Sequence, residues 1–247
     1  MATGISIAKV QRMDFFSVIT SLSWLDALAV GLLLAAWGGL GAWIESDRVR
    51  HPSVTVLMSH YRRAWMDELV QREMRIFDAT ILTNLRQSTA FFASGAMLAL
   101  GGLLTLISNS DQLLVVARDL TLEEETALLW QIKLLLTVGL LAQSVLRFVW
   151  SNRLFGYCAV MMAAIPNKPD DPHAASRAAK AAVINIRASY NFNRGMRAIY
   201  FSLGSLAWLF GPLPLLAATA IISYGIWSRD FASTSREVIL TDDGEMP

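Results

Sequence analysis

Cysteine is almost absent from this chain. Cys158 is the only one in 247 residues, so no intrachain disulfide and no Cys-x-x-Cys site can form. Histidine is nearly as scarce: His51, His60 and His173. Asp47 with His51, and Asp170 with His173, have helical spacing. Each pair flanks a proline and has no third ligand nearby, so no metal site is expected. Gly-x-Ser-x-Gly, His-Glu-x-x-His and phosphate-loop motifs are missing. The acidic pairs Asp67-Glu68 and Asp170-Asp171 are sequence neighbours, which point apart on a helix. No catalytic residue, no cofactor and no enzymatic activity are therefore expected. Charge is sparse as well. Charged residues make up 17% of the chain and apolar ones 54%, with a mean hydropathy of +0.44. That is too apolar for an ordinary soluble domain.

What is present is a set of long apolar runs. Trp24 to Ile44 is the first, with Asp26 near its start and Gly38, Gly39 and Gly41 near its end. Phe91 to Ile107 is the second and carries the small pair Gly95 and Ala99. Small residues let membrane helices approach closely. Ala127 to Trp150 is the third. Apart from Gly156 no breaker follows before Pro166, so this helix is expected to continue to about Ile165. Residues 127–165 would then extend about 58 Å, against a bilayer core of about 30 Å. Tyr200 to Trp227 is the fourth, interrupted by Gly211, Pro212, Leu213 and Pro214 near its midpoint. Proline removes a donor and obstructs the preceding turn, so this span is expected to kink there, with close neighbours satisfying the freed carbonyls.

Between these runs lie polar segments with helical patterning. After Pro52 there is no glycine or proline until Gly95. Ser53 is a fitting N-cap, and a helix is expected from residue 54 that merges into the second span, with at most one bend. Asp171-Pro172 opens a later alanine-rich helix. On a helical wheel Arg177, Lys180, Arg187, Asn191 and Arg194 share one face; Ala175, Ala178, Ala182, Ile186 and Ser189 share the other. Residues 108–126 form an acidic connection, with Thr121 capping the third span, and residues 232–247 a polar acidic tail expected to fray.

The basic residues set an orientation. Residues 45–89 hold seven arginines, and residues 151–197 hold seven lysines and arginines. The connection 108–126 has Arg118 against five acids. By the positive-inside rule the two basic segments are cytoplasmic. Four spans then leave both termini outside, outvoting Lys9 and Arg12. The fold class is all-α: one four-span integral membrane domain over residues 1–231, with cytoplasmic helical extensions, expected in a bacterial inner membrane.

Two constellations stand out as candidate sites. The inner ends of the spans carry Arg86, Arg147, Arg153, Arg194, Arg197 and Asn193, with Asn152 and Asn191 nearby. Bundled, they would make a basic collar suited to anionic phospholipid headgroups or another anion. Asp26 and Lys133 lie near the outer ends and can pair across the first and third spans. Basic residues beside Trp65 and Tyr61 hug the membrane, so no nucleic acid is expected.

Certain elements resemble a known family. Arg62-Arg63-Ala64-Trp65, Thr83-Asn84-Leu85-Arg86-Gln87-Ser88 and Arg147-Phe148 carry the likeness. So do Asn193 to Gly195 with Arg197 and Tyr200, and Trp208-Leu209-Phe210-Gly211-Pro212 with Asp230-Phe231. Together they resemble the domain-of-unknown-function family 599 of bacterial and plant membrane proteins, over roughly residues 30–231. The resemblance implies a four-span membrane fold and no chemistry. The reading is a non-enzymatic accessory or scaffold subunit, packed in a homo-oligomer or larger membrane complex. The alternative is a channel or transporter subunit for a small anionic solute, using the arginine collar and the proline break.

Overall fold

A computed structural model of the chain describes residues 22–46, 51–109, 115 and 127–241. Lys9 and Arg12, the acidic connection with its Thr121 cap, and the tail after Thr241 lie outside the described residues. All regular structure among the described residues is helical. The order is α1 (Trp24–Ile44), α2 (Val54–Gln71), α3 (Ile76–Ser108), α4 (Ala127–Ala163), α5 (Ala174–Ser205), a 3₁₀ segment (Leu206–Phe210), α6 (Pro212–Phe231) and α7 (Thr234–Leu240). Trp24–Ile44, Ile76–Ser108 and Leu128–Ala163 are long and apolar enough to cross a membrane.

The bundle has two chemically distinct ends. One holds Asp26, Trp130 and the 3₁₀ segment; the other holds Glu45, Arg147, Arg194 and Arg197. Hydrogen bonds fix each end. Trp208 Nε1 donates to Asp26 Oδ1 at 2.7 Å, and Gln131 Nε2 donates to the Ile107 carbonyl at 3.0 Å. At the other end Arg194 and Arg197 both pair with Glu45. We call these the Asp26 end and the arginine end.

The 37 residues of α4 reach about 55 Å and the 33 of α3 about 50 Å. Both outrun a bilayer core and project beyond the arginine end, as the lack of breakers after Trp150 implies. There they join α2 and the first half of α5 around a second apolar core, with Met66, Leu69, Leu82, Phe155, Cys158 and Met162 at its centre. Burial from water stabilises this part, at about 1.5–3 kcal/mol per large side chain. Between membrane helices that force is missing, and close packing replaces it. The other half is packed by Ala29, Leu33, Phe201, Trp208, Leu215 and Ile226.

The pairing of α4 with α5 is the most extensive in the molecule. Ala174, Ala178, Ala181, Ala182 and Ala188 form its buried stripe, with Asn185 among them. The expected apolar face is thus present. Ala175 is exposed, because the stripe is centred on Ala178 and Ala181 and leaves that position at its edge. The turn from α4 to α5 is held by arginines at a helix C-terminus, where carbonyls lack partners and positive charge is favoured. Arg75 Nη1 and Nη2 donate to the Ile165 and Pro166 carbonyls at 2.7 and 2.8 Å. Arg177 Nη1 donates to Ala164 at 2.6 Å.

Three expectations need correction. The segment after Ser53 is not one helix. It breaks between Gln71 and Ile76 without glycine or proline, so that α2 leads away from the arginine end and α3 leads back. The cause is tertiary: the fully buried Asp78 carboxylate accepts from Trp65 Nε1 at 2.6 Å and from Arg72 Nη1, while Arg75 is drawn to α4. The stretch 200–227 is not one kinked span either. The chain reverses at Gly211, whose φ is 108°, and α6 runs antiparallel to the end of α5. Tyr200 therefore meets Arg229, and Gly204 meets Ile222. Pro212 and Pro214 occupy the first turn of α6, where no backbone donor is needed. The chain consequently enters at the Asp26 end and leaves α6 at the arginine end, so the described N- and C-terminal portions lie at opposite ends. Finally, the start of the tail is the ordered helix α7, capped by Ser233 and tied down by Arg236 Nε donating to the Pro52 carbonyl at 3.1 Å.

Candidate functional site

The polar residues at the arginine end line three clefts instead of one collar, and Arg197 borders two of them. The helices dictate the division. α4 and α5 lie centrally, α1 covers one side, α3 another, and α2 with α6 a third.

The first cleft lies between α1, α4 and α5. Glu45 follows the last residue of α1, and its carboxylate takes Arg194 and Arg197 together. Arg197 is 5% exposed. It packs against Gly41, where a Cβ would stand in ordinary contact, 3.5 Å from the guanidinium. Arg147 Nη1 donates to Asn191 Oδ1 at 3.2 Å. The cavity, 280 Å³, is lined by Arg147, Arg194, Arg197, Glu45, Gln143 and, deepest along α1, Trp37 and Gly38. Three guanidinium groups face one carboxylate, so the cleft stays cationic. Trp37 is seven residues before Ile44, about 10 Å along α1. The cleft therefore ends well short of Gly211, at the Asp26 end.

Arg86 and Arg153 lie elsewhere, in a shallower 560 Å³ cleft between α3 and α4 with Asn152. Arg86 Nε is 3.5 Å from Asn152 Oδ1. Arg153 Nε donates to the Tyr157 hydroxyl at 2.8 Å and its guanidinium lies 5.9 Å from that ring's centroid. These are exposed contacts of modest strength.

The third cleft, 420 Å³, lies between α2, α5 and α6 and holds Asn193 with Thr55, Arg62, Arg229 and Asp230. Asn193 Nδ2 approaches Thr55 Oγ1 at 3.4 Å, and Thr55 donates to Asp230 Oδ1 at 3.0 Å. Arg62 donates to Asn185 Oδ1, and Asn185 in turn contacts Cys158 Sγ at 3.5 Å. Burial pushes the Arg62 guanidinium below its ordinary pKa, because the charged form loses hydration.

Asp26 is spoken for at the other end. Its Oδ2 accepts from Ser23 N and Oγ at 3.0 and 2.7 Å, closing a capping box on α1. Its Oδ1 holds Trp208. Lys133, 3% exposed, acts on Asp26 electrostatically, so the two residues do share a neighbourhood.

Sequence reasoning missed Glu45, Asp78, Arg62 and Arg229. Glu45 had a signal, an acid directly at the end of a span beside a basic segment. Asp78 had none, being one of several acids in that arginine-rich segment. Arg62 and Arg229 line one cleft from positions 167 apart in sequence, which no local pattern reveals.

No curated protein matches the chain, and no solved structure does. The residues at the arginine end and at the Gly211 turn fall inside one family match, which covers residues 28–235 and is described as Protein of unknown function, DUF599; the chain belongs to that family.

Proposed function

We propose that the protein is a non-enzymatic scaffold subunit of the membrane, presenting its helical extension to the cytoplasm and packing through α3 against a further membrane helix. In this reading the chain crosses five times. α1, α3 and α4 are joined by the end of α5 with its 3₁₀ segment, and by α6. Residues 194–205 at 1.5 Å per residue and the 3₁₀ segment at 2 Å give about 28 Å, and α6 about 30 Å. The basic segments remain cytoplasmic, which puts the N-terminus outside and the C-terminus inside.

The observation that carries the scaffold reading is the free face of α3. Phe91, Gly95, Leu98, Gly102 and Thr105, spaced by four and three, are all exposed. Only 6% of the apolar window of α3 is buried, against 39% for α4. A stripe of alternating large and small residues at that spacing suits knobs-into-holes packing. The channel or transporter alternative leans on a proline break in mid-bilayer. The break sits instead at the turn between two antiparallel helices, which favours the scaffold.

Cross-linking tests it. Cys158 is fully buried, so Leu98→Cys introduces the one accessible thiol among the described residues. In native membranes this variant should form a cross-linked species, and Gly95→Ile with Gly102→Ile should abolish it. A Leu98→Cys protein that remains uncross-linked, or anion flux through the purified protein in liposomes, would contradict the reading.

A further inference from the structure

We propose that the third cleft and the groove below it form one binding site for a single anionic phospholipid, with the phosphate at Arg62 and Arg229 and an acyl chain between α5 and α6. The argument starts from the continuity of two cavities. The polar cleft of 420 Å³ and an adjoining groove of 270 Å³ share Tyr200, Ile226 and Arg229. Below those shared residues the groove is lined by Leu203, Ile222 and Gly225. Leu203 is 60% exposed, and a Cβ on Gly225 would meet nothing within 4 Å. The pair of cavities therefore has a polar head at the arginine end and an apolar tail along the membrane half, the shape of an amphiphile.

Charge selects the sign of the head. Arg62, Arg197 and Arg229 face Asp230 alone. Arg197 is already matched by Glu45, and Asp230 accepts from Thr55. Against the Asp230 carboxylate, Arg62 and Arg229 leave the cleft net positive. Arg62 Nε is buried with no hydrogen-bond partner, although its Nη1 reaches Asn185. A buried donor of this kind is costly unless something accepts from it. Arg229 is exposed, steadied by Nη1 donating to the Tyr200 hydroxyl at 3.1 Å and by its place 5.8 Å from the Tyr200 ring centroid. Both guanidinium groups line the cleft, and a guanidinium suits phosphate oxygens. A soluble phosphate would use the cleft and leave the groove unfilled; a phospholipid uses both. The site borders the Glu45 cleft through Arg197, whose guanidinium is engaged by Glu45.

Native mass spectrometry of the full chain in detergent, supplied with phosphatidylglycerol and phosphatidylcholine of identical acyl chains, tests the proposal. Wild type should retain one phosphatidylglycerol and little phosphatidylcholine. Arg229→Gln, at an exposed position, should lower that retention about tenfold, the scale of one charge-assisted contact. Gly225→Leu should fill the groove without strain, keep the helical content and thermal midpoint, and also lower retention. Equal retention of both lipids would mean ordinary bilayer contact and overturn the proposal. So would unchanged phosphatidylglycerol retention in both variants. Displacement of the lipid by glycerol 3-phosphate at equal concentration would assign the cleft to a soluble anion instead, and equally overturn it.

Discussion

Glu45 and Arg197 sit 152 residues apart in sequence and form the least exposed ion pair at the arginine end, with side chains 8% and 7% exposed. Arg194, the second partner, is 43% exposed. The physics separates the two. Removing one member of a buried pair leaves an uncompensated charge, which costs about 3–5 kcal/mol; a solvated pair contributes under about 1 kcal/mol. Glu45→Gln should therefore lower stability by about 3 kcal/mol, and Arg194→Gln by less than about 1 kcal/mol. Denaturant unfolding in detergent checks both, and equal effects would mean that burial does not set the strength of this pair. The arginines were legible in the sequence because charge counts mark the ends of spans. Their common acid left a fainter mark, its place at the end of a span, because a residue at the boundary of a loop reads as solvated until a distant helix covers it.

At the scale of elements, the turn at Gly211 decides how the last third of the chain is folded. The sequence marks the break plainly, since two prolines cannot continue a helix. Whether the chain kinks or reverses depends on one dihedral and on what packs afterwards. Trp208 pinned to Asp26, and Ile222 against Gly204, are both long-range. The two alternatives make opposite predictions. Prolines inside a helix cost about 3 kcal/mol each relative to alanine, so Pro212→Ala with Pro214→Ala would stabilise a kinked span strongly. In the first turn of α6 they cost little, and the double variant should shift stability by less than about 1 kcal/mol. Gly211→Ala should destabilise by about 1–3 kcal/mol, because a φ of 108° with ψ 176° lies in a region open almost only to glycine. Thermal unfolding of the two variants in the same micelle distinguishes the cases; strong stabilisation of the proline variant would restore the single span. The α2–α3 break illustrates the same limit. Without a breaker in the sequence, a helix ended because a buried aspartate with Trp65 and Arg72 on its carboxylate holds the turn.

For the whole molecule, length, hydropathy and charge distribution were enough to read an all-helical membrane protein with helices that outrun the bilayer. They were not enough to show that the chain turns back within Tyr200–Trp227. Between Tyr200 and Trp227 the hydropathy looks like one span, whereas the end of α5 and α6 lie side by side. That difference moves the C-terminal portion from one end of the bundle to the other, and with it α7, held to Pro52 by Arg236. The most direct measurement is the sidedness of two engineered thiols. Lys168, in the turn between α4 and α5, and Ser235, on α7, are both exposed, and the native Cys158 is buried. In sealed vesicles of known orientation, Lys168→Cys and Ser235→Cys should react with an impermeant maleimide from the same side, the cytoplasmic one. Labelling of Ser235→Cys from the side opposite to Lys168→Cys would contradict the reversal at Gly211 and the five-crossing arrangement built on it.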